Sequence, residues 1–330
     1  MTLNSLIESP KILTHSVSPD GDEIVTFEVQ MHRFVLAEFN THRVLAKNSA
    51  SSRAIPVRRQ LEMINENPAW PVSWPQEKSG MQGGVELEPD NARPDAMQAW
   101  EGAMRDAIDA VRDLQKIGLH KSVTNRLLEP FMWHKVVVTG TAWENFFRQR
   151  DHEDAQPEIR VVAEAMHRLL QESEPRKLPK HGWHLPYISD DDWDVVDAAT
   201  DVPIKEAIGQ VGLARTMARI SAARCARTSY LTNPKVDADG KVVEDARVDH
   251  VKDLGLYDRL VLNEPRHWSP LEHPCTPWAE NKQQTAPLRF NLGRQEVNVP
   301  LAHLPKVGPM FGYRTLRTEV EAMLGDVTFR

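Results

Sequence analysis

The chain has 330 residues, of which 41% are hydrophobic and 26% charged. Those proportions fit a folded globular protein rather than a disordered or fibrous one, and the length allows one large domain or two ordinary ones. A formal charge of -7 and an isoelectric point near 6.0 exclude a general affinity for nucleic acid or an anionic membrane, so an anionic ligand requires a local basic pocket.

Cys225 and Cys275 are the two cysteines, too few for a disulfide framework and too far apart for a paired-cysteine zinc site, so neither disulfide nor metal is expected. Met1 to Thr14 lacks a basic stretch followed by an apolar run, and apolar runs such as Val136–Val138 are too short to span a bilayer. A reducing, cytoplasmic setting is therefore the expectation.

Ile24 to Val29 mixes β-branched and aromatic residues with polar ones and predicts a strand; Phe34 to Phe39 continues as an apolar segment into Thr41-His42-Arg43. From Asn65 to Pro94, five prolines and Gly83-Gly84 break any regular element and predict a surface loop or lid. Asp95 then reads as an N-cap for a helix burying Met97, Trp100, Met104, Ile108, Val111, Leu114 and Ile117. A second helix is expected over about 155–170, capped by Asp154, and a third over roughly 205–223. Asp239-Gly240 marks a turn in a polar stretch, Val251 to Leu262 resumes helical spacing, and Arg289 to Val299 alternates like a strand. The class is α+β, with an antiparallel sheet and packed helices.

There is no P-loop, no Gly-x-Ser-x-Gly elbow, no His-Glu-x-x-His and no Gly-x-Gly-x-x-Gly. What stands out is Thr41 to Arg53, which gathers His42, Arg43, Lys47, Ser49, Ser51, Ser52 and Arg53, with Arg58 and Arg59 just beyond. Guanidinium forks and hydroxyls so placed can hold an anion by charge-assisted bonds. A solvated basic turn satisfies the same residues equally well.

This stretch resembles the signature of flavin-dependent thymidylate synthases, Arg-His-Arg, seven residues, then Ser-x-Arg. His42, Arg43, Ser51 and Arg53 match, and Thr41 replaces the first arginine. Upstream, Phe34-Val35-Leu36-Ala37-Glu38-Phe39 is similar to the family's Phe-Val-Ala-Arg-Gln-Trp, with Glu38 in place of a nucleotide-binding glutamine. A second block, Val137 to Arg150 followed by Ala155-Gln156-Pro157-Glu158-Ile159-Arg160, resembles the family's strand, arginine-ending helix and next helix start. Arg150 then matches the arginine that contacts the uracil ring, where planar donors stabilise charge on the pyrimidine. On composition alone, Arg150 reads instead as a helix C-terminal cation paired with Asp151 or Glu153. Asn145 matches a flavin contact, and Arg126 the arginine that holds dUMP from a neighbouring subunit.

A third block, Ala226-Arg227-Thr228-Ser229-Tyr230 and His267-Trp268-Ser269-Pro270-Leu271-Glu272-His273, resembles motifs that in the family supply flavin contacts. Those contacts are matched here by Ser229, His267, Ser269 and Glu272. Ser269 to Glu272 also reads as a capping box with proline at the first helical position. In the family these motifs precede the Arg-His-Arg block, so their position here implies a circular permutation. The expected organisation is a core over 1–175, interrupted at about 63–94, and a C-terminal part over 176–330 packed on the same core.

The resemblance implies reductive methylation of dUMP to dTMP with FAD, NADPH and methylenetetrahydrofolate, in a homotetramer with shared sites and without an enzyme thiolate. Arg150 would polarise uracil; Arg126, Ser51, Arg53 and Glu38 would meet dUMP; His42, Arg43, Asn145, Ser229, His267, Ser269 and Glu272 would meet FAD. Glu38 and Thr41, a two-residue gap at Thr141 and Asp154 in place of a histidine depart from the family. They leave two rivals: a related pyrimidine nucleotide methylase or hydroxymethylase, and a non-catalytic nucleotide-binding relative.

Overall fold

Strand Glu23–His32 carries the logic of the architecture, because its alternation sends two different kinds of residue to its two faces. The computed structural model describes residues 10–228, 249–278 and 310–324, together with the backbone of short strands at 235–236 and 242–244. Strands β1 (Lys11–Val17), β2 (Glu23–His32), β3 (Ala46–Ser49), β4 (Trp133–Gly140) and β5 (Arg176–Lys177) form one sheet in the order β3-β4-β2-β1-β5. All its pairings are antiparallel except the short β1/β5 contact.

Between the strands lie helices α1 (Leu36–Asn40), α2 (Val57–Glu66), α3 (Ala92–Lys116), α4 (Lys121–Thr124), α5 (Glu144–Arg150) and α6 (Pro157–Glu172). After β5 come α7 (Asp190–Asp197), α8 (Val202–Val211), α9 (Leu213–Ala226), α10 (His250–Leu262) and α11 (Leu316–Leu324). Two antiparallel pairs accompany them, β6 with β7 (Lys235–Val236, Val242–Glu244) and β8 with β9 (Cys275–Pro277, Tyr313–Thr315). The protein is α+β with an antiparallel-dominated sheet.

On one face of β2, Val25, Phe27, Val29 and Met31 pack with Val136 and Val138 of β4 against Phe146 and Phe147 of α5 and Ile159, Val162 and Met166 of α6. The other face is polar and covered by the C-terminal half. There Ser16, Thr26 and Thr139 meet two fully buried histidines in one hydrogen-bonded run. His184 Nδ1 pairs with Ser16 Oγ at 3.0 Å and its Nε2 with Thr26 Oγ1 at 2.8 Å; Thr26 pairs with Thr139 at 2.7 Å, and Thr139 with His273 Nδ1 at 2.8 Å. Desolvation holds both imidazoles neutral, His273 down to about 3. Tyr187 adds a latch: its hydroxyl donates to Glu28, and it keeps a left-handed backbone, φ 62°, that a tyrosine adopts only when its surroundings fix it.

The C-terminal half has its own core of α7 to α11, including Met217, Ile220, Leu254, Tyr257 and Val320. Within it Arg224, itself buried, donates to both oxygens of Asp192 at 2.9 and 2.8 Å and to Asp253 at 3.0 Å, while His250 Nε2 bonds Asp192 at 2.8 Å.

Several expected elements differ in detail. Helix α3 begins at Ala92, so Asp95 lies in its first turn and Pro94 sits where the backbone N–H has no helical partner to lose; Ile117 is its exposed C-cap. Asp154 does not cap α6, which starts at Pro157 after Gln156. The single helix expected over 205–223 is two, α8 and α9, separated at Gly212, whose φ of +78° suits a residue without a Cβ. The strand expected at Arg289–Val299 and the turn at Asp239-Gly240 fall outside the described residues. Among the described residues no helix is long and apolar enough to cross a membrane.

Candidate functional site

Helix α5 is seated by aromatic packing and delivers one arginine. Phe146 meets Phe39 and His42 edge to face, at centroid distances of 5.7 and 5.0 Å. Arg150, four residues on and therefore on the same helical face, donates through Nε to His42 Nε2 at 2.9 Å. Its Nη2 reaches Thr41 Oγ1 at 3.2 Å and the Glu38 backbone carbonyl at 3.3 Å. The reading of Arg150 as a cation paired with Asp151 gives way to this arrangement, because Asp151 bonds His167 at 2.7 Å instead.

The bond from Arg150 requires an unprotonated Nε2 on His42. Burial, then the charges of Arg150 and Lys47, hold that imidazole down to about 4. Nη1 of Arg150 makes no hydrogen bond among the described residues, so a pair of fixed donors is left for a ligand. Glu38 Oε2 is sealed from solvent and has no partner among them either.

Strand β3 continues from this point, and its alternation splits two neighbours between its faces. The Lys47 ammonium bonds the His42 carbonyl and, at 3.3 Å, that of Leu45, and it lies 5.5 Å from the Phe39 ring centroid. Burial lowers its pKa to about 8 against the raising pull of Glu272. Asn48 faces the other way. Its Nδ2 donates to the Cys225 carbonyl at 2.6 Å and to Thr228 Oγ1 at 3.1 Å, and its Oδ1 accepts from Ser269 Oγ at 3.0 Å. One asparagine thus ties the Thr41–Arg53 stretch to both C-terminal motifs.

Ser269 to Glu272 forms a single 3-10 turn without a side-chain cap, so the capping-box reading is replaced by the Asn48 contact. Glu272 is ion-paired with Arg317 at 2.6 Å, and burial raises its pKa against the pull of Arg317 and Lys47. The His267 side chain is exposed, and its backbone N–H donates to Leu260 at 3.0 Å.

A loop at 51–55 extends the site and is held from below by the segment after α3. Asn125 Nδ2 donates to the carbonyls of Ser52 and Ile55 at 2.8 and 3.0 Å, and Lys121 Nζ to that of Ala54 at 3.0 Å. Glu129 accepts from Arg126 at 2.5 Å, from Arg33 at 3.3 Å and from Ser52 Oγ at 3.4 Å. Arg126, its charge matched by Glu129, is thereby linked through that carboxylate to Ser52, the residue between Ser51 and Arg53. Arg43 and Arg53 are exposed and have no ion pair among the described residues, in a protein whose net charge is -7.

Asn145 is not brought to this cluster within the chain. It is exposed, bonded by Gln149 at 3.4 Å, and lies roughly 140° around the helix from Arg150. Ser229 lies outside the described residues. Asn48, Lys121 and Asn125 were not singled out in the sequence, and Lys47 was noted only as one of the basic stretch. The signal for the two strand residues was available, since a lysine and an asparagine occupy a strand that ordinarily disfavours both.

Both cysteines are fully buried, and desolvation pushes both thiols well up, so neither offers a thiolate. Among the described residues no group of three or more His, Cys, Asp or Glu could hold a metal. The exposed guanidinium groups of Arg43 and Arg53, without an ion pair among the described residues, are the kind of donor that suits phosphates and carbonyl oxygens.

Together, the antiparallel sheet, the arginine-ending helix on its flank and the basic loop beside it define an α+β protein with a candidate site rich in guanidinium and amide donors. Residues 21–176 match the family described as "Thymidylate synthase complementing protein" (Thy1). The match includes Glu38, His42, Arg43, Ser51, Arg53, Arg126, Asn145 and Arg150, and leaves out Ser229, His267, Ser269 and Glu272. Among solved structures, a UMP/dUMP methylase, PolB, from Streptomyces cacaoi bound with 5-Br dUMP aligns at 18% identity. The alignment covers 46% of this chain and 67% of that one, with a TM-score of 0.38. No curated protein matches the chain.

Proposed function

We propose that the protein is a flavin-dependent thymidylate synthase that reductively methylates dUMP to dTMP, taking the one-carbon unit from methylenetetrahydrofolate and reducing equivalents from NADPH. The observation that carries this reading is the fixed guanidinium of Arg150, held on three sides by His42, Thr41 and Glu38 with Nη1 free. Bound FAD would supply the redox chemistry. Arg150 Nη1 would donate to a uracil carbonyl and stabilise negative charge on the ring as C5 becomes nucleophilic. His42, kept neutral, fixes that guanidinium without competing for the negative charge. Ser51, Arg53 and Arg126 border the loop where dUMP would bind, and Arg43, Ser269, Glu272, His267 and Ser229 would contact FAD.

Asn145 would reach flavin from a neighbouring copy, in keeping with a tetramer of shared sites. The bonds of Asn48 to Thr228 and Ser269 support reading the two C-terminal motifs as relocated parts of one site. Buried, inert thiols support a route without cysteine attack on C6.

Glu38 favours one second reading. Its carboxylate, on the residue whose backbone carbonyl accepts from Arg150, has an Oε2 buried without a partner; a side-chain rotation that opened it would offer an acceptor to an amino group, so an aminopyrimidine nucleotide such as dCMP is the rival substrate. Turnover assays with dUMP and dCMP decide between them, using methylenetetrahydrofolate, FAD and NADPH. Formation of dTMP that Arg150→Ala abolishes supports the proposal, whereas product from dCMP alone replaces it with the rival.

A further inference from the structure

Lys47 behaves unlike the exposed cations of the basic stretch. Arg43 and Arg53 point to solvent, whereas the half-buried Lys47 side chain turns back onto its own chain. Its ammonium bonds the His42 carbonyl and, at 3.3 Å, the Leu45 carbonyl. Those two residues are the ends of one turn, which the Leu45 N–H closes on the same His42 carbonyl at 3.3 Å. Fixing a long, flexible cation over a buried ring costs rotamer freedom and hydration, so the turn it holds must matter.

The contacts run in a closed loop. Lys47 lies 5.5 Å from the centroid of the Phe39 ring, Phe39 meets Phe146 of α5, and Phe146 meets the His42 imidazole. Helix α5 also carries Arg150, whose Nε donates to His42 Nε2 at 2.9 Å. Lys47 therefore holds the main chain of the residue whose side chain holds Arg150.

Charge acts in the same direction. After burial, the cations of Arg150 and Lys47 are what disfavour a proton on His42. A proton at Nε2 would replace the Arg150 bond by repulsion between two cations. The other charged groups around Lys47 are Glu272, paired with Arg317 on the far side, and Glu38 of α1, next to Phe39. Opposite Lys47 in β4 stands uncharged Val138, and buried His273 follows Glu272 as a neutral ring. Burial brings Lys47 down to about 8 against the raising pull of Glu272, so it is a cation at neutral pH and loses its charge in mild alkali.

We propose that Lys47 is a positioning residue: its ammonium pins the His42–Leu45 turn and keeps the His42 imidazole unprotonated, so that His42 holds Arg150 in place for its ligand. It acts through His42 and rests on the assignment of Arg150 to a uracil carbonyl.

NMR of the histidine side-chain nitrogens in the ligand-free protein tests this, for the parent, Lys47→Met and Lys47→Arg, with dUMP affinity measured by calorimetry at neutral pH. The parent His42 signal is expected to show a proton on Nδ1, to titrate near 4 and to shift again near 8 as Lys47 loses its proton. In Lys47→Met the second shift should vanish, the imidazole should titrate about half a unit or more higher, and dUMP should bind about tenfold more weakly. Lys47→Arg keeps its charge in alkali, so it should lose the shift near 8 yet stay within about threefold of the parent affinity. A purely structural lysine would give the parent no transition near 8, and that readout needs no variant to fold. The proposal is overturned if the parent His42 signal is still near pH 8, if Lys47→Met titrates like the parent, or if it binds dUMP like the parent. A parent that binds no dUMP refutes the assigned activity instead, and the histidine signals still decide the role of Lys47.

Discussion

Replacing Thr139 with valine removes one hydroxyl from the centre of the run that joins the sheet to the C-terminal half. In the fold that oxygen bonds Thr26 Oγ1 at 2.7 Å and His273 Nδ1 at 2.8 Å, and all three residues are buried. Valine has the same shape, so packing is retained and the change isolates the hydrogen bonds. Thr26 keeps its bond to His184, but His273 is left with neither ring nitrogen paired, since its Nε2 has no partner already. A neutral hydrogen bond contributes about 1 kcal/mol net, and a buried polar group stranded without a partner costs about 1–3 kcal/mol, so the variant should lose about 2–4 kcal/mol. At about 2–4 °C per kcal/mol for larger domains, the midpoint should fall by at least about 4 °C. Thr139→Ser, which keeps the hydroxyl and deletes one methyl, should lose only about 1 kcal/mol. Differential scanning calorimetry of the two variants beside the parent tests this. A Thr139→Val melting point no lower than that of Thr139→Ser would refute the claim that these bonds fasten the two halves.

Three further outcomes are expected. His42 titrates near 6.5 when unfolded and near 4 when folded, so unfolding takes up a proton between those values and stability should fall as pH drops from about 6.5 to 4, then level off for this group. Denaturant titrations across that window should show a shallower slope for His42→Gln than for the parent, and identical slopes would remove His42 as the titrating group. Asp192→Asn strips the charge facing buried Arg224 and should cost about 3–5 kcal/mol in chemical denaturation; a loss under 1 kcal/mol would contradict the buried network. Both thiols should resist a thiol reagent in the native protein and react only on unfolding, and Cys225→Ala with Cys275→Ala together should keep turnover.

The strand at Ile24–Val29, the helical face around Ile108 and Val111, and the helix burying Ile159, Val162 and Met166 were legible because each has a hydrophobic period matching its geometry. The breaks were harder to place. Gly212 interrupts a pattern that otherwise continues from α8 into α9, and only its positive φ shows the chain turning there. Asp154 had the chemistry of a cap, yet Pro157, which favours the first helical position, set the start three residues later.

In the site, Arg150 and His42 were legible as motif residues, but their mutual bond was not, since it depends on Phe146 seating α5 against Phe39. Asn48 was hidden for the same reason: its partners lie 177 to 221 residues away in the chain. Glu28, Thr139 and His273 likewise have meaning only through partners distant in sequence, which no local pattern reveals.

The central claim is that Arg150 stands at a pyrimidine site coupled to a flavin, and a spectral titration tests it most directly. The protein is loaded with FAD, and dUMP is added while the visible flavin band is followed, for the parent and for Arg150→Ala. The account predicts that the parent retains FAD, that dUMP perturbs the band to saturation, and that Arg150→Ala retains FAD but loses the dUMP response. A protein that holds no flavin, or a dUMP response that survives Arg150→Ala undiminished, would contradict it.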